Sequence, residues 1–345
     1  MSARAPTRPE PRRRARPPVR RPLPWPARPS ALAPPVGGGL SHPDGSVCAP
    51  ARCRRSPGRR ARSTSRGRRG TGGGSGQAGY RAPARIARSV NVSGEIRVGT
   101  SGWQYDDWRG VVYPDDVPKR RWLAHYAARF PTVEVNSTFY RLARESTVAE
   151  WRDAAPNEFE FVLKGSRFIT HQKKLNEPTE ALERFFEPLG PVLDRTAAIL
   201  WQLPGRWRRN AERLDQFLTA LPTGHRYAVE FRDDDWFHEE TYEVLDRHGV
   251  ANVWLSSSLT GSHELVATGD HVYVRFHGLD PEEPYRYDYS REELEPWAER
   301  LRDVADQGTP AWAFFNNDHQ GHAPRNAETL IDLLGEAARA SPDES

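Results

Sequence analysis

Glu134, Lys164, Glu230, Arg232, Arg275 and His277 are the side chains in this sequence best suited to chemistry, and each sits at the end of a short apolar run. In TVEVNSTFYR (132–141) every second residue is polar, so that Glu134, Asn136 and Thr138 share one face and Val133, Val135 and Ser137 the other. An unpaired carboxylate is costly to bury, so such a face is wet, paired or held for work. The same habit recurs along the chain. FEFVLKG ends on Lys164, AAILWQLP on Gln202, RYAVEFR on Glu230 and Arg232, HVYVRFHG on Arg275 and His277, and AWAFFNND on Asn316, Asn317 and Asp318.

Inward carboxylates beside other charges are where pKa values are tuned, which makes Glu134 and Glu230 the acid/base candidates. The plainer alternative pairs Glu134 with Lys164 or Arg275, and Glu230 with Arg232 or Arg275, to tie the strand ends together. Lys164 has two readings, an amine nucleophile forming a Schiff base or an ion-pair partner and anion ligand. His277 is a candidate for proton transfer. With Glu134, Glu230 and Asp318 it would make a hard-metal set, but no H-x-H or H-E-x-x-H spacing supports one, so no metal is assigned. Asn136, Gln202, Arg232, Arg275, Asn316, Asn317 and Asp318 are the expected ligand-binding groups. Trp103 and Tyr140 join them, since aromatic side chains around a polar mouth suit stacking on a sugar or base; Tyr105, Trp108, Tyr113 and Trp236 belong to the same set, which could equally cover a rim. In FFNNDHQGHAPRNA (314–327) a strand, a polar loop and a helix start with Pro324 would let Arg275, His277, Asn317 and Arg325 hold an anion.

Groups scattered over nearly 200 residues need a scaffold that gathers strand ends. Apolar runs fall at 96–102, 132–138, 159–165, 197–204, 226–232, 251–256, 271–278 and 311–318. Between them lie amphipathic stretches: RRWLAHYAARF, a short TVAEWRDAAP, PTEALERFFEPLGPVL, NAERLDQFLTAL, HEETYEVLDRHG, SREELEPWAERLRDVADQG and APRNAETLIDLLGEAARA. Ser290 with Glu293 forms a capping box, and Gly249 and Gly308 stop their helices. SSSLTGSHELVATG, after the sixth run, is loop-like. Eight strands alternating with helices predict a single parallel (β/α)8 barrel of the TIM type over 95–340, with an open doubly wound sheet as the alternative. No G-x-G-x-x-G or G-x-x-x-x-G-K-[ST] turn follows any strand, and no cofactor is named by the motifs. In a barrel the apolar parity (Val133, Val135, Phe161, Leu163, Ile199, Trp201, Val229, Phe231, Val272, Val274, Phe276) faces the helices, and the polar ends converge on one pocket. The parity of Asn316, Asn317 and Asp318 stays open.

Residues 1–94 are of another kind. They hold 21 Arg, no Lys and two acids (Glu10, Asp44), about +19, whereas the remainder balances 29 basic against 44 acidic residues, about −15; together these give the net +4. Rich in Pro, Gly, Ser and Arg, the tail is expected to be disordered. It reads as a transit peptide, as a nucleic-acid-binding arm, or as upstream sequence ahead of a true start near Val90 or Val92. Both cysteines, Cys48 and Cys53, lie in it, and no apolar run is long enough to span a membrane. The expected setting is cytoplasmic. A polar or anionic small molecule is the expected partner. Arg167, Lys173 and Lys174 could guide a nucleic acid strand, but the acidic balance of the remainder opposes a polyanion.

GTSGW-x-Y-x-x-W, VEVNSTFYR, FVLKGSRFITH, WQLP, AVEFR-x-x-x-W, YVRFHG and FFNND-x-x-G-x-A-x-x-N-A, in that order, resemble the domain-of-unknown-function 72 family, also called YecE-like, over about residues 96–335. The resemblance implies a TIM-barrel fold and carries no established reaction. Positions matching its signatures include Trp103, Glu134, Asn136, Thr138, Tyr140, Lys164, His171, Gln202, Glu230, Arg232, Arg275, His277, Gly278, Asn316, Asn317 and Asp318. Two places depart from the pattern: WQLPG lacks a double proline, and SSS (256–258) lacks an acidic residue. The tail has no counterpart.

Overall fold

The computed structural model describes residues 94–261 and 264–338, so the expectations attached to the basic tail and to a start near Val90 lie outside the described residues. Eight strands form: β1 (Ile96–Ser101), β2 (Thr132–Val135), β3 (Glu160–Lys164), β4 (Thr196–Gln202), β5 (Tyr227–Glu230), β6 (Ala251–Ser257), β7 (Val272–Gly278) and β8 (Ala311–Phe315). Each pairs in parallel with its neighbour in chain order, and β8 returns to β1 with Ile96 opposite Ala311, which closes the sheet into a barrel. That closure removes the open-sheet alternative.

Helices cover the outside: α1 (Trp122–Ala127), α2 (Ser137–Tyr140), α3 (Glu145–Ala154), α4 (Thr179–Phe186), α5 (Ala211–Ala220), α6 (Glu239–Arg247), α7 (Arg291–Asp306) and α8 (His322–Leu334). The capping box is present, with Glu293 N–H donating to Ser290 Oγ (3.3 Å) and Ser290 N–H to Glu293 Oε2 (2.9 Å). Between β6 and β7 no helix occurs among the described residues, as the loop-like sequence there predicts. None of the described helices is long and apolar enough to cross a membrane.

Strand parity sorts the apolar residues into two cores. Outward residues such as Val133, Phe161, Ile199, Trp201, Val229 and Phe276 meet the helices. Val162, Ala198, Leu200, Ala228, Val253, Leu255, Tyr273, Trp312 and Phe314 fill the barrel interior. The assignment also fixes β8: with Phe314 inside and Phe315 outside, Asn316 continues the inner row and Asn317 the outer one. The segment after β2 differs from the alternation read in the sequence. The strand ends at Val135, and Ser137–Tyr140 makes one helical turn, in which the Thr138 hydroxyl bonds back to Val135 O (2.9 Å) and across to Lys164 O on β3 (2.7 Å).

Candidate functional site

Because inner-row side chains leave the barrel at its C-terminal end, the polar residue that closes each strand points into one space. A cavity of about 890 Å³ opens there. All eight connections contribute to its wall: Tyr105 after β1; Asn136, Phe139 and Tyr140 after β2; Lys164, Arg167 and His171 at β3; Gln202 and Gly205 at β4; Arg232 after β5; Leu259 after β6; Tyr285 after β7; and Asn316 with Asp318 after β8. Gly165 lets β3 run close to its neighbour, since a Cβ there would come within 2.1 Å of the Trp201 ring and displace the turn that follows Lys164.

Beneath the cavity lies a charge cluster that is fully buried except for Arg232, which reaches the wall. Arg275 is its centre. Its Nη2 donates to Glu134 Oε1 (2.5 Å) and its Nη1 to Glu230 Oε2 (2.5 Å). The Tyr273 hydroxyl donates to Glu134 Oε2 (2.6 Å), and Arg232 Nε bonds the other oxygen of Glu230. Burial alone would raise the Glu230 carboxyl, but Arg232, Arg275 and His277 hold it well below the usual carboxylate range. His277 Nε2 lies 2.9 Å from Arg232 Nη2, 3.2 Å from Arg275 Nη1 and 3.4 Å from Glu230 Oε1, while its Nδ1 faces the Asn316 amide at 3.1 Å. Burial, then the two guanidiniums, push the imidazole far below its ordinary pKa, so it is neutral at neutral pH.

Lys164 stands apart from this cluster. It is 7% exposed, its Nζ lies 4.7 Å from the centroid of the Phe139 ring, and among the described residues its amine makes neither a hydrogen bond nor an ion pair. Burial, helped by Arg275, lowers its pKa to about 7 against the pull of Glu134 and Glu230. On the opposite wall, burial raises Asp318, and burial together with Asp318 raises Tyr105, whose hydroxyl donates to Ser101 O (2.6 Å).

Of the four catalytic candidates, only Lys164 lines the cavity; Glu134, Glu230 and His277 lie under it with no exposed surface. Asn136, Tyr140, Gln202, Arg232, Asn316 and Asp318 line the cavity, and Arg275 lies below. Two expected ligand-binding residues are elsewhere. Trp103 is buried edge-on against Trp151 (5.8 Å between centroids), and Asn317, on the outer row, donates to Tyr287 O and Asn326 Oδ1 (both 2.7 Å). Trp108, Tyr113 and Trp236 are likewise buried, which leaves Tyr105 and Tyr140 as the pocket's share of that aromatic set. The anion site expected around Arg275, His277, Asn317 and Arg325 does not assemble: Arg325 donates to Gln320 O (2.9 Å) and meets His322 Nδ1 (2.9 Å). Nor do the groups weighed for a metal gather as ligands, since the carboxylates face guanidiniums and Asp318 sits with Tyr105. Phe139, Leu259 and Tyr285 line the wall unannounced. Each lies beyond the strand on irregular or single-turn backbone, where no periodicity marks it.

A family model described as "Protein of unknown function DUF72" matches residues 97–345. The chain belongs to this family. Among its relatives, the UPF0759 protein YunF of Bacillus subtilis is 26% identical over 273 residues, 69% of this chain and 94% of YunF. The UPF0759 protein YecE of Escherichia coli K12 is 25% identical over 264 residues, 69% of this chain and 92% of YecE. A DUF72 crystal structure from Thermotoga maritima superposes with a TM-score of 0.63 at 31% identity, covering 70% of this chain and 99% of that one. One from Enterococcus faecalis has the same fold, with a TM-score of 0.60 at 22% identity over 69% and 95% of the two chains. The resemblance carried by the seven ordered motifs is therefore membership of DUF72, and the closed barrel is the DUF72 fold.

Proposed function

We propose that the pocket binds a small anionic molecule, with the negative group held on the β3 side by Lys164 and Arg167. One observation carries this reading: below the cavity the two carboxylates are already matched by Arg275 and Arg232, so Lys164 and Arg167 remain as cations of the wall without an ion-pair partner among the described residues. The buried acceptor Asn136 Oδ1, unbonded within the protein, suits a hydroxyl or amine of the same ligand. Glu134 and Glu230 then shape and neutralise the floor, while Lys164, its pKa lowered to about 7, is a wall group that can change charge near neutral pH. A second reading, a barrel that binds without reacting, is favoured by the saturation of both carboxylates.

A thermal-shift screen of the full chain tests the binding. Phosphate, sulfate and small carboxylates should raise the melting temperature, neutral sugars should not, and Lys164→Met should lose the response. A ligand at 100 times its Kd adds about 2.7 kcal/mol, a plain shift. Stabilisation by sugars alone, or by anions equally in Lys164→Met, would sink the proposal.

A further inference from the structure

We infer that Lys164 is a covalent amine: it condenses with the carbonyl carbon of a small carbonyl compound that also bears a carboxylate or phosphate, forming an imine in the pocket. The inference rests on the anion-binding reading above and adds the reacting atom.

Three observations carry it. The first is position. Lys164 closes β3 on the inner row, its amine at the cavity floor against the Phe139 ring, where an imine would be shielded from bulk water. The second is the missing anion. Glu134 is held by Tyr273 and Arg275, and Glu230 by Arg275 and Arg232, so neither carboxylate fixes the amine as an ammonium. Desolvation beside other cations is the environment that keeps such an amine nucleophilic. The third is residue choice. The sequence holds 46 Arg and only four Lys, at 119, 164, 173 and 174. A fixed positive charge at 164 could be supplied by arginine, as it is throughout the chain; an amine that loses its proton cannot.

The step balances without a redox partner. The amine nitrogen attacks the carbonyl carbon, a C–N bond forms, and the two amine hydrogens leave with the carbonyl oxygen as water. Protonation of the imine nitrogen then gives an electron-withdrawing iminium, and Arg167 holds the substrate's anionic group.

Borohydride trapping tests it directly on the full chain. Pyruvate and pyridoxal 5′-phosphate serve as probes, one carrying a carboxylate and the other a phosphate, and peptide mass spectrometry reads the reduced adduct at each of the four lysines. Because Lys164 is half deprotonated near pH 7 while an ordinary lysine titrates near 10.4, its labelling at pH 7 should exceed that of each other lysine by about tenfold or more. Lys164→Arg should lose that adduct. Labelling at Lys119, Lys173 and Lys174 equal to that at Lys164, or no adduct with either probe, overturns the inference. If phosphate still stabilises the chain in that case, the pocket reading stands and only the covalent step falls; if it does not, both fall.

Discussion

Charge is buried at both ends of this barrel, and the two ends use it differently. At the N-terminal end Arg97 Nε lies 2.9 Å from Glu160 Oε2, the Trp312 indole donates to the same oxygen (3.1 Å), and the guanidiniums of Arg97 and Arg226 each lie 5.5 Å from the Trp312 ring centroid. Glu95 completes the set at 2.5 Å from Arg97 Nη2. Every cation there has an anion or an aromatic face, and the indole plugs the interior. At the C-terminal end the Glu134–Arg275–Glu230–Arg232 cluster is as tightly joined, yet above it lies a cavity and one amine left over. Matched ions at both ends close the barrel; the unmatched amine at one end is what marks the site.

The largest test of that contrast removes the central cation from each end. Arg275→Met takes the central cation from two carboxylates that have no exposed surface, leaving Glu134 with the Tyr273 hydroxyl and Glu230 with Arg232, and breaking a buried pair this way costs about 3–5 kcal/mol. Arg97→Met takes the guanidinium away from Glu160 and Glu95, whose side chains are 18% and 42% exposed and can rehydrate, so it should cost less by about 2 kcal/mol. Urea denaturation at neutral pH measures both. Equal losses would mean that the two clusters are equivalent and that the cluster under the pocket has no special depth.

Lys164 sharpens the same contrast through pH. Its folded pKa, about 7, lies below the 10.5 of the unfolded chain, so between these values the unfolded state binds the extra proton. Stability must therefore rise with pH from about 7 to 10.5, at most about 1.4 kcal/mol per pH unit, and the full cost of the buried charge is present below pH 7. Lys164→Met should be more stable than the parent at pH 6 and should lose this rise. A parent curve that is flat across that window would show that the amine is paired in solution.

The barrel was legible because its signal is repeated: eight apolar runs of one parity, each ending polar, specify both the closure and the direction in which the polar ends point. The same parity puts Lys164, Gln202 and Arg275 on the inner row, two residues after Val162, Leu200 and Tyr273. Depth was not legible. Parity puts Glu134 and Asn136 on the same face, but β2 ends at Val135 and the backbone is already helical at Asn136, so the carboxylate lies under the floor and the amide in the wall. Loop residues escaped for another reason. Trp103 and Tyr105 stand in one polar loop with similar surroundings in sequence, yet Trp103 packs on Trp151 from a distant helix, a contact no local pattern announces.

The smallest effect falls at the rim. Arg167 is exposed, lies on the turn after β3, and makes no ion pair among the described residues, so Arg167→Ala should change stability by less than about 0.5 kcal/mol. It should nonetheless weaken anion binding about tenfold, the order of one charge-assisted hydrogen bond, and flatten the salt dependence of Kd. Arg226→Ala offers the control, a half-buried arginine at the closed end that should leave Kd unchanged. Calorimetric titration of phosphate into the two variants separates the cases: a loss confined to Arg167→Ala places the ligand at the open end beside Lys164, whereas equal losses would reduce the effect to net charge alone.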